Sequence, residues 1–263
     1  MLNYTNIPVT IDGTVYYATQ ASFNVATSLE PVYSLGKTGK VAQNPNGPIK
    51  GTLSLDYHID QDGIYALFDN ITTSELGSNI TPVTVSLGQQ AFTASSQAGA
   101  YLTSHGANGQ ANQLATAKAT FELYFGNASE AIAFGSTGSG DTGSANFGHG
   151  AASSIGAVGG ISDAVSFAYE SSIQYDFVFK IGSVTPAAVY VSRASKKMTV
   201  EGYSISSNIS MCGASASVTA TVNSLCAEGG GATYSVDGEI TQLEGSVSAG
   251  QVGRGKVTVT QFI

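Results

Sequence analysis

The sequence predicts a mainly β protein, built of β-sandwich or barrel modules with one short flanking helix near residues 62–69. Three observations predict it. Apolar residues alternate with polar ones in run after run, and Leu53, Leu55, Tyr57 and Ile59 form the cleanest case. A period of two is the mark of a strand with one buried face. Turn chemistry punctuates these runs, as at Asp12-Gly13 and Asp237-Gly238, pairs whose backbone freedom suits a two-residue hairpin. One stretch changes period: Ile64, Leu67 and Phe68 are spaced for a single helical face.

In chain order, Ile7 to Ile11 and Thr14 to Ala18 flank Asp12-Gly13 as a hairpin. Strands at Ala21 to Val25 and Val32 to Leu35 follow, with Pro31 marking an edge or a break. Gly36 to Lys40 and Asn44 to Pro48 read as exposed loop. The strand Leu53 to Ile59 leads into the helix, which Asp60 or Asp62 would cap. Val83 to Leu87, Ala91 to Ala94 and Ala117 to Phe125 are the next strands, and 103–116 reads as a polar loop. Residues 126–163 are dominated by Gly, Ala and Ser, too poor in apolar surface to order themselves. From Val165 the β pattern resumes, with Phe177, Phe179 and Ile181 alternating, then Val189 and Val191, then Ala216 to Val222. Gly229 to Gly231 is a turn and Asp237-Gly238 a further hairpin signal. Lys256 to Ile263 closes the chain as a strand. A terminal strand without a neighbour invites pairing with another chain.

The domain organisation expected is a β module at 1–125, a linker or long loop at 126–163, and a second β module at 164–263. Two stretches correspond. Gly36 falls on Gly182, and at that register, without a gap, Ala42 falls on Ala188, Lys50 on Lys196, Tyr57 on Tyr203 and Ile59 on Ile205. The second module then reads as a degenerate repeat of the first. One detail conflicts: Met198 and Val200 sit in the opposite phase to Tyr203 and Ile205, and a bulge at Glu201-Gly202 would restore the phase.

Charged residues make up only 11% of the 263, and Trp is absent, a composition closer to surface and virion β proteins than to metabolic enzymes. With net charge −8, no basic stretch is available to neutralise a run of phosphates, so tight nucleic-acid binding is not expected. An acidic wall would still let DNA slide past. Met1 to Asn6 has neither a cationic nor an apolar segment, and no apolar run is long enough to span a bilayer. The expectation is a chain folded in the cytosol, or a mature form, with no membrane partner.

No catalytic residue, cofactor site or metal site is assigned. Gly36-x-x-Gly39-Lys40 lacks the Walker spacing and Gly-x-Ser-x-Gly does not occur. His58 lies on the face of its strand opposite Tyr57 and reads as solvated, while His105 and His149 fall in Gly/Asn/Ser loops. Asp60-x-Asp62-Gly63 hints at calcium but lacks the remaining oxygen ligands, so capping is the simpler reading. Cys212 and Cys226 are either two reduced thiols or a disulfide. The 13 tyrosines suit half-buried sheet positions and interfaces.

Ser28 to Lys37, Asn46 to Leu55 and Gly245 to Val259 resemble segments of tailed-phage virion structural proteins, of the tail-tube type. The resemblance implies a β-sandwich or barrel with a flanking helix, packed in stacked homo-oligomeric rings around a channel through which DNA passes as non-specific cargo. It implies other virion proteins as partners, and a virion location after assembly in the host cytoplasm. A duplicated module implies fewer subunits per ring. The glycine-rich segment at 126–163 departs from a minimal tube protein, and a capsid decoration or another tail component fits nearly as well. An extracellular adhesin or glycan-binding sandwich, and a polysaccharide hydrolase, are the readings from other functional classes.

Overall fold

The structure is a computed structural model. It describes residues 9–45, 47–60, 62–73, 79–87, 90–92, 97–126, 147–156, 158, 160–161, 163–181, 183–203, 215–225, 231–247, 249 and 253–263. Cys212, Cys226, Gly229 and Gly230, and most of the expected linker, lie outside the described residues.

The chain opens with β1 (Val9–Ile11) and β2 (Thr14–Tyr16), joined by Asp12 and Gly13 at φ 48° and 82°, the left-handed pair that a tight hairpin requires. Then come β3 (Ala18–Ala26), β4 (Leu29–Tyr33), β5 (Lys40–Pro45) and β6 (Lys50–His58). Helix α1 (Gly63–Thr73) follows, then β7 (Val85–Leu87), β8 (Gln90–Phe92), β9 (Gly99–Gln110) and β10 (Thr116–Tyr124). The remainder is strand: β11 (Gly148–Ile155), β12 (Asp163–Val178), β13 (Ala188–Tyr203), β14 (Ser215–Ser224), β15 (Gly231–Ser246) and β16 (Arg254–Phe262).

Ten of these strands form one sheet in the order β11-β14-β15-β16-β13-β12-β9-β10-β6-β3, all neighbours antiparallel. Strands of both halves therefore share a sheet, and β9 of the first half pairs with β12 of the second. The sheet curls back on itself at one end. Gly148 in β11 donates to the carbonyl of Ile59 at 2.7 Å and accepts from Ala115 at 2.8 Å. Inside lie α1, through Ile64 and Phe68, and the small sheet β2-β1-β7-β8, through Val9, Ile11, Val85 and Phe92. They join one apolar core with Leu53, Leu55, Phe121, Tyr169, Met198 and Val257.

The structure departs from the sequence reading at several places. Residues 103–110, read as loop, are strand β9, with His105 and Ala107 facing the core. Gly109 is small there because a Cβ would strike the Phe167 ring. Residues 148–155, inside the expected linker, form β11 against β14. Asp237-Gly238 does not turn. β15 runs straight through it, and Gly238 instead admits the close approach of the Thr260 carbonyl. The C-terminal strand, β16, is paired along both edges, by β13 and by β15. Lys256 to Ile263 is therefore not open to β-augmentation.

The two halves share one plan. β3, β6, β10 and β9 stand in the same order as β12, β13, β16 and β15. Beyond β3 and β6, the detached two-stranded hairpin β4–β5 pairs Leu29↔Pro45, Glu30↔Asn44, Pro31↔Gln43 and Val32↔Ala42. The far end of β12–β13 matches it step for step with Tyr175↔Val191, Asp176↔Tyr190, Phe177↔Val189 and Val178↔Ala188. Irregularities coincide too. One extra residue, Thr19, separates the pairs Ala18↔Tyr57 and Gln20↔Asp56, and Val165 likewise separates Ala164↔Gly202 and Ser166↔Glu201. Thr103 is the extra residue of β9 and Thr241 that of β15. Their hydroxyls donate to the carbonyls of Thr120 at 3.0 Å and Thr258 at 3.5 Å, themselves equivalent. Bulges re-aim the strand and are specified locally, so coincidence at two of them marks structural repeats.

This register also corrects the sequence alignment. The pairs Leu29↔Pro45 and Ala26↔Lys50 are separated by residues 46–49, whereas Tyr175↔Val191 and Ser172↔Ser195 are separated by residues 192–194 only. One gap there sets Lys50 on Ser195 and Tyr57 on Gly202, rather than on Lys196 and Tyr203. Leu53 and Leu55 then fall on Met198 and Val200, and the conflict of phase disappears. No bulge sits at Glu201-Gly202 against β16; the extra residue is Val165 across the strand pair.

Candidate functional site

Three features of the fold carry polar or exposed chemistry. The first is a buried cluster. Asp62 caps α1, accepting from the Tyr65 amide at 3.2 Å. Its carboxylate also accepts from Tyr57 at 2.9 Å and from Tyr234, and lies 2.9 Å from His105 Nε2. β6, the residue capping α1, β9 and β15 each contribute one group, so the cluster ties the two halves together. Burial pushes the Asp62 carboxyl up, but His105 and the hydrogen bonds from Tyr234 and Tyr57 outweigh it and hold the group below the usual carboxylate value. Burial and the adjacent Asp62 push the Tyr57 and Tyr234 hydroxyls well above their ordinary value, so both remain donors. The side chains of Asp62 and His105 are wholly inaccessible. The cluster resembles an acid–base relay in composition, yet the Asp62 and His105 side chains are sealed from solvent, and His105 Nδ1, unlike Nε2, has no hydrogen-bond partner.

The second feature is the sheet face turned away from the core. It is rich in hydroxyls, which bond across strands as Ser172–Ser195 at 3.0 Å, Thr199–Thr258 at 3.1 Å and Thr241–Thr260 at 2.9 Å. Its lysines stand beside carboxylates: Lys118–Asp56 at 3.6 Å, Lys197–Glu170 at 3.2 Å, Lys50–Glu122 at 3.7 Å and Lys256–Glu244 at 3.9 Å. A groove of about 420 Å³ lies between Lys118, Glu170 and Lys197 on this face.

The third feature is apolar. The β4–β5 hairpin exposes Leu29, Val32, Tyr33, Leu35 and Val41, and the β12–β13 hairpin exposes Val178, Phe179 and Ile181. At the shared register Val32 matches Val178, Tyr33 matches Phe179 and Leu35 matches Ile181. The last pair is fully exposed, at 103% and 105%. Both tips leave the sheet at the same end, where Lys50 pairs with Tyr124 and Ser195 with Phe262. The second is braced where Phe177 packs on Tyr124 at 4.6 Å and on Tyr101 at 5.4 Å. The first has Pro31 in place of Phe177 and stands clear of the sheet.

The histidines are not where the sequence placed them. His105 is buried in β9 rather than in a loop. His149 lies in β11, its Nδ1 accepting from the Ala151 amide at 3.1 Å. His58 does face away from Tyr57 but is half-buried under Phe147, with ring centres 5.4 Å apart. The oxygens of Asp62 are taken by protein donors, and the described residues hold no cluster of three or more metal-ligating groups. What the alternation rule missed is the buried cluster, because its members lie at 57, 62, 105 and 234 and only the fold unites them. The correspondence of Gly36 with Gly182 was legible in the sequence, but the exposure of the residues before each was not, since Val32 to Leu35 and Phe177, Phe179 and Ile181 read as strand. Searched against known proteins, the chain matches no family model and no curated protein.

Proposed function

We propose that this chain is a self-assembling structural protein of a virion, a subunit of a phage tail tube whose stacked rings enclose a DNA channel. The observation that carries the reading is the pair of equivalent apolar tips at one end of the sheet. Leu35 and Ile181 are held out in water by ordered hairpins, and apolar groups presented so, in duplicate, mark a surface made to be covered. Covering each such side chain gains about 1.5–3 kcal/mol. The hydroxyl-rich outer face supports a passage role: with its lysines beside carboxylates, it offers a polyanion little to adhere to. The sealed Asp62–His105 cluster speaks against a hydrolase built on it.

Electron microscopy of the purified protein, and of particles from which it is recovered, tests the proposal. Rings or tubes with a central channel are the expected result. A strictly monomeric protein absent from particles would overturn it.

A further inference from the structure

The two repeats meet edge to edge inside the chain. β12 of the second adds to β9 of the first, from Ser166↔Gln110 to Ser172↔Ser104. The counterparts of these two strands lie at outer boundaries. β3, the counterpart of β12, is the last strand of the sheet among the described residues. β15, the counterpart of β9, is paired by β14 only as far as Glu239, and from Glu244 to Val247 it is exposed. The shared bulges fix the register. Placing Thr19 on Val165 sets Ser22 on Ala168, Asn24 on Glu170 and Ala26 on Ser172. Placing Thr241 on Thr103 sets Gln242 on Ser104, Glu244 on Gly106 and Ser246 on Asn108.

We propose that β3 of one copy pairs with β15 of the next, antiparallel and in the register of the β12–β9 junction, so that Ser22 faces Ser246, Asn24 faces Glu244 and Ala26 faces Gln242. An open strand edge is a template for such pairing. The side chains brought together fit, although they differ from those of the internal junction. Within the chain the Phe167 ring fills the space that Gly109 leaves. Between chains the larger residue changes sides, and Val247, 80% exposed, stands opposite Ala21. In place of the polar pair Ser171↔His105 come Val25 and Leu243, both half-buried and packed against the core. On the other face Glu170 lies opposite Gly106 within the chain, and Glu244 would lie opposite Asn24, so neither junction sets two carboxylates against each other. A second copy carries both edges in the register that the internal junction already uses, and this continuity commits the occupant. The contact joins unlike edges, so repeating it closes a ring or extends a filament. The inference rests on the assembly reading and names the lateral contact between subunits.

Chains carrying Ser22→Cys and chains carrying Ser246→Cys, co-expressed and then oxidised, test it. Both positions are exposed, and facing residues of adjacent antiparallel strands lie within disulfide reach, about 4.5–5.5 Å between Cα atoms. The expected product is a covalent dimer of unlike chains. Peptide mass spectrometry should place the bond between positions 22 and 246, which separates it from any bond through Cys212 or Cys226. Val247→Lys gives a second readout. Its circular dichroism should match the parent's, because the side chain it replaces stands mostly in water. By sedimentation velocity its association should fall by at least about 10-fold, the loss expected from one apolar side chain left uncovered. An assembling protein without the 22–246 bond, or a Val247→Lys variant that associates as strongly as the parent, overturns the edge pairing and leaves the assembly reading intact. A parent chain that stays monomeric at every concentration overturns both. A chain carrying both cysteine substitutions that forms the bond within a monomer would show the two edges closing on each other, and also overturns the pairing between copies.

Discussion

Four polar groups converge on the Asp62 carboxylate. One carboxylate serves as helix cap, receives two tyrosine hydroxyls and faces His105. Removing it strips the Tyr234 hydroxyl of its acceptor and leaves Tyr57 and His105 only each other, at 3.1 Å, and breaking a buried charged network from one side costs about 3–5 kcal/mol. Asp62→Ala should lose about that much in urea unfolding. Asp62→Asn, which retains one acceptor oxygen, should lose less. The pH dependence has a definite sign. The native carboxyl is held below its ordinary value, so the stability it contributes is complete above the unfolded value of about 4 and is lost only as pH falls through the lowered native value. The parent should therefore become more acid-labile below about pH 4 by a margin that the Asp62→Asn variant does not show. A cap was legible ahead of Ile64, Leu67 and Phe68 as one of two candidates, Asp60 or Asp62, and the structure selects Asp62. The partners were not, because a histidine among glycine and asparagine gives no local sign of burial.

At the scale of elements, strands declared themselves wherever their inward residues are large. β6 and β14 were legible from Leu53, Leu55 and Tyr57 and from Val218, Ala220 and Val222. β9 was not, since its inward positions are His105, Ala107 and Gly109. The absence of a side chain at Gly109 is a packing result: the ring of Phe167 on β12 occupies the space that a larger β9 side chain would fill. A periodicity argument looks for apolar bulk and cannot see a strand whose bulk is supplied by its neighbour. Gly109→Ala places a methyl against the Phe167 ring and should destabilise the protein by about 1–3 kcal/mol. Pairing it with Phe167→Leu should recover part of that loss, a non-additivity that a double-mutant cycle in urea would read directly. Gly238 makes the same point for turns. Beside Asp237 it carried a hairpin signal, yet its missing side chain serves a close approach to the Thr260 backbone.

For the whole molecule, repetition and unity pull in different directions. Matching strand order and matching bulges at Thr19 and Val165, and at Thr103 and Thr241, describe two units. The β9–β12 junction, the Asp62–Tyr234 bond and the ion pair of Lys196 with Asp69 bind those units into one core. Unfolding either unit would strip the other of a strand neighbour and of acceptors for its buried groups. The units should therefore not melt separately. Calorimetry on the Val247→Lys variant, which keeps the core but weakens the contact between copies, should show one transition with calorimetric and van't Hoff enthalpies in agreement; two resolved transitions would show that the β9–β12 junction is too weak to couple them. The parent chain should differ in one respect. A β3 edge pairs with a neighbour's β15 only in the folded state, and association of that kind raises the melting temperature with protein concentration. Across concentrations at which the parent associates and the Val247→Lys variant does not, a tenfold increase should raise the parent's Tm and leave the variant's unmoved. Equal concentration dependence in both would place the stabilising contact somewhere other than that edge.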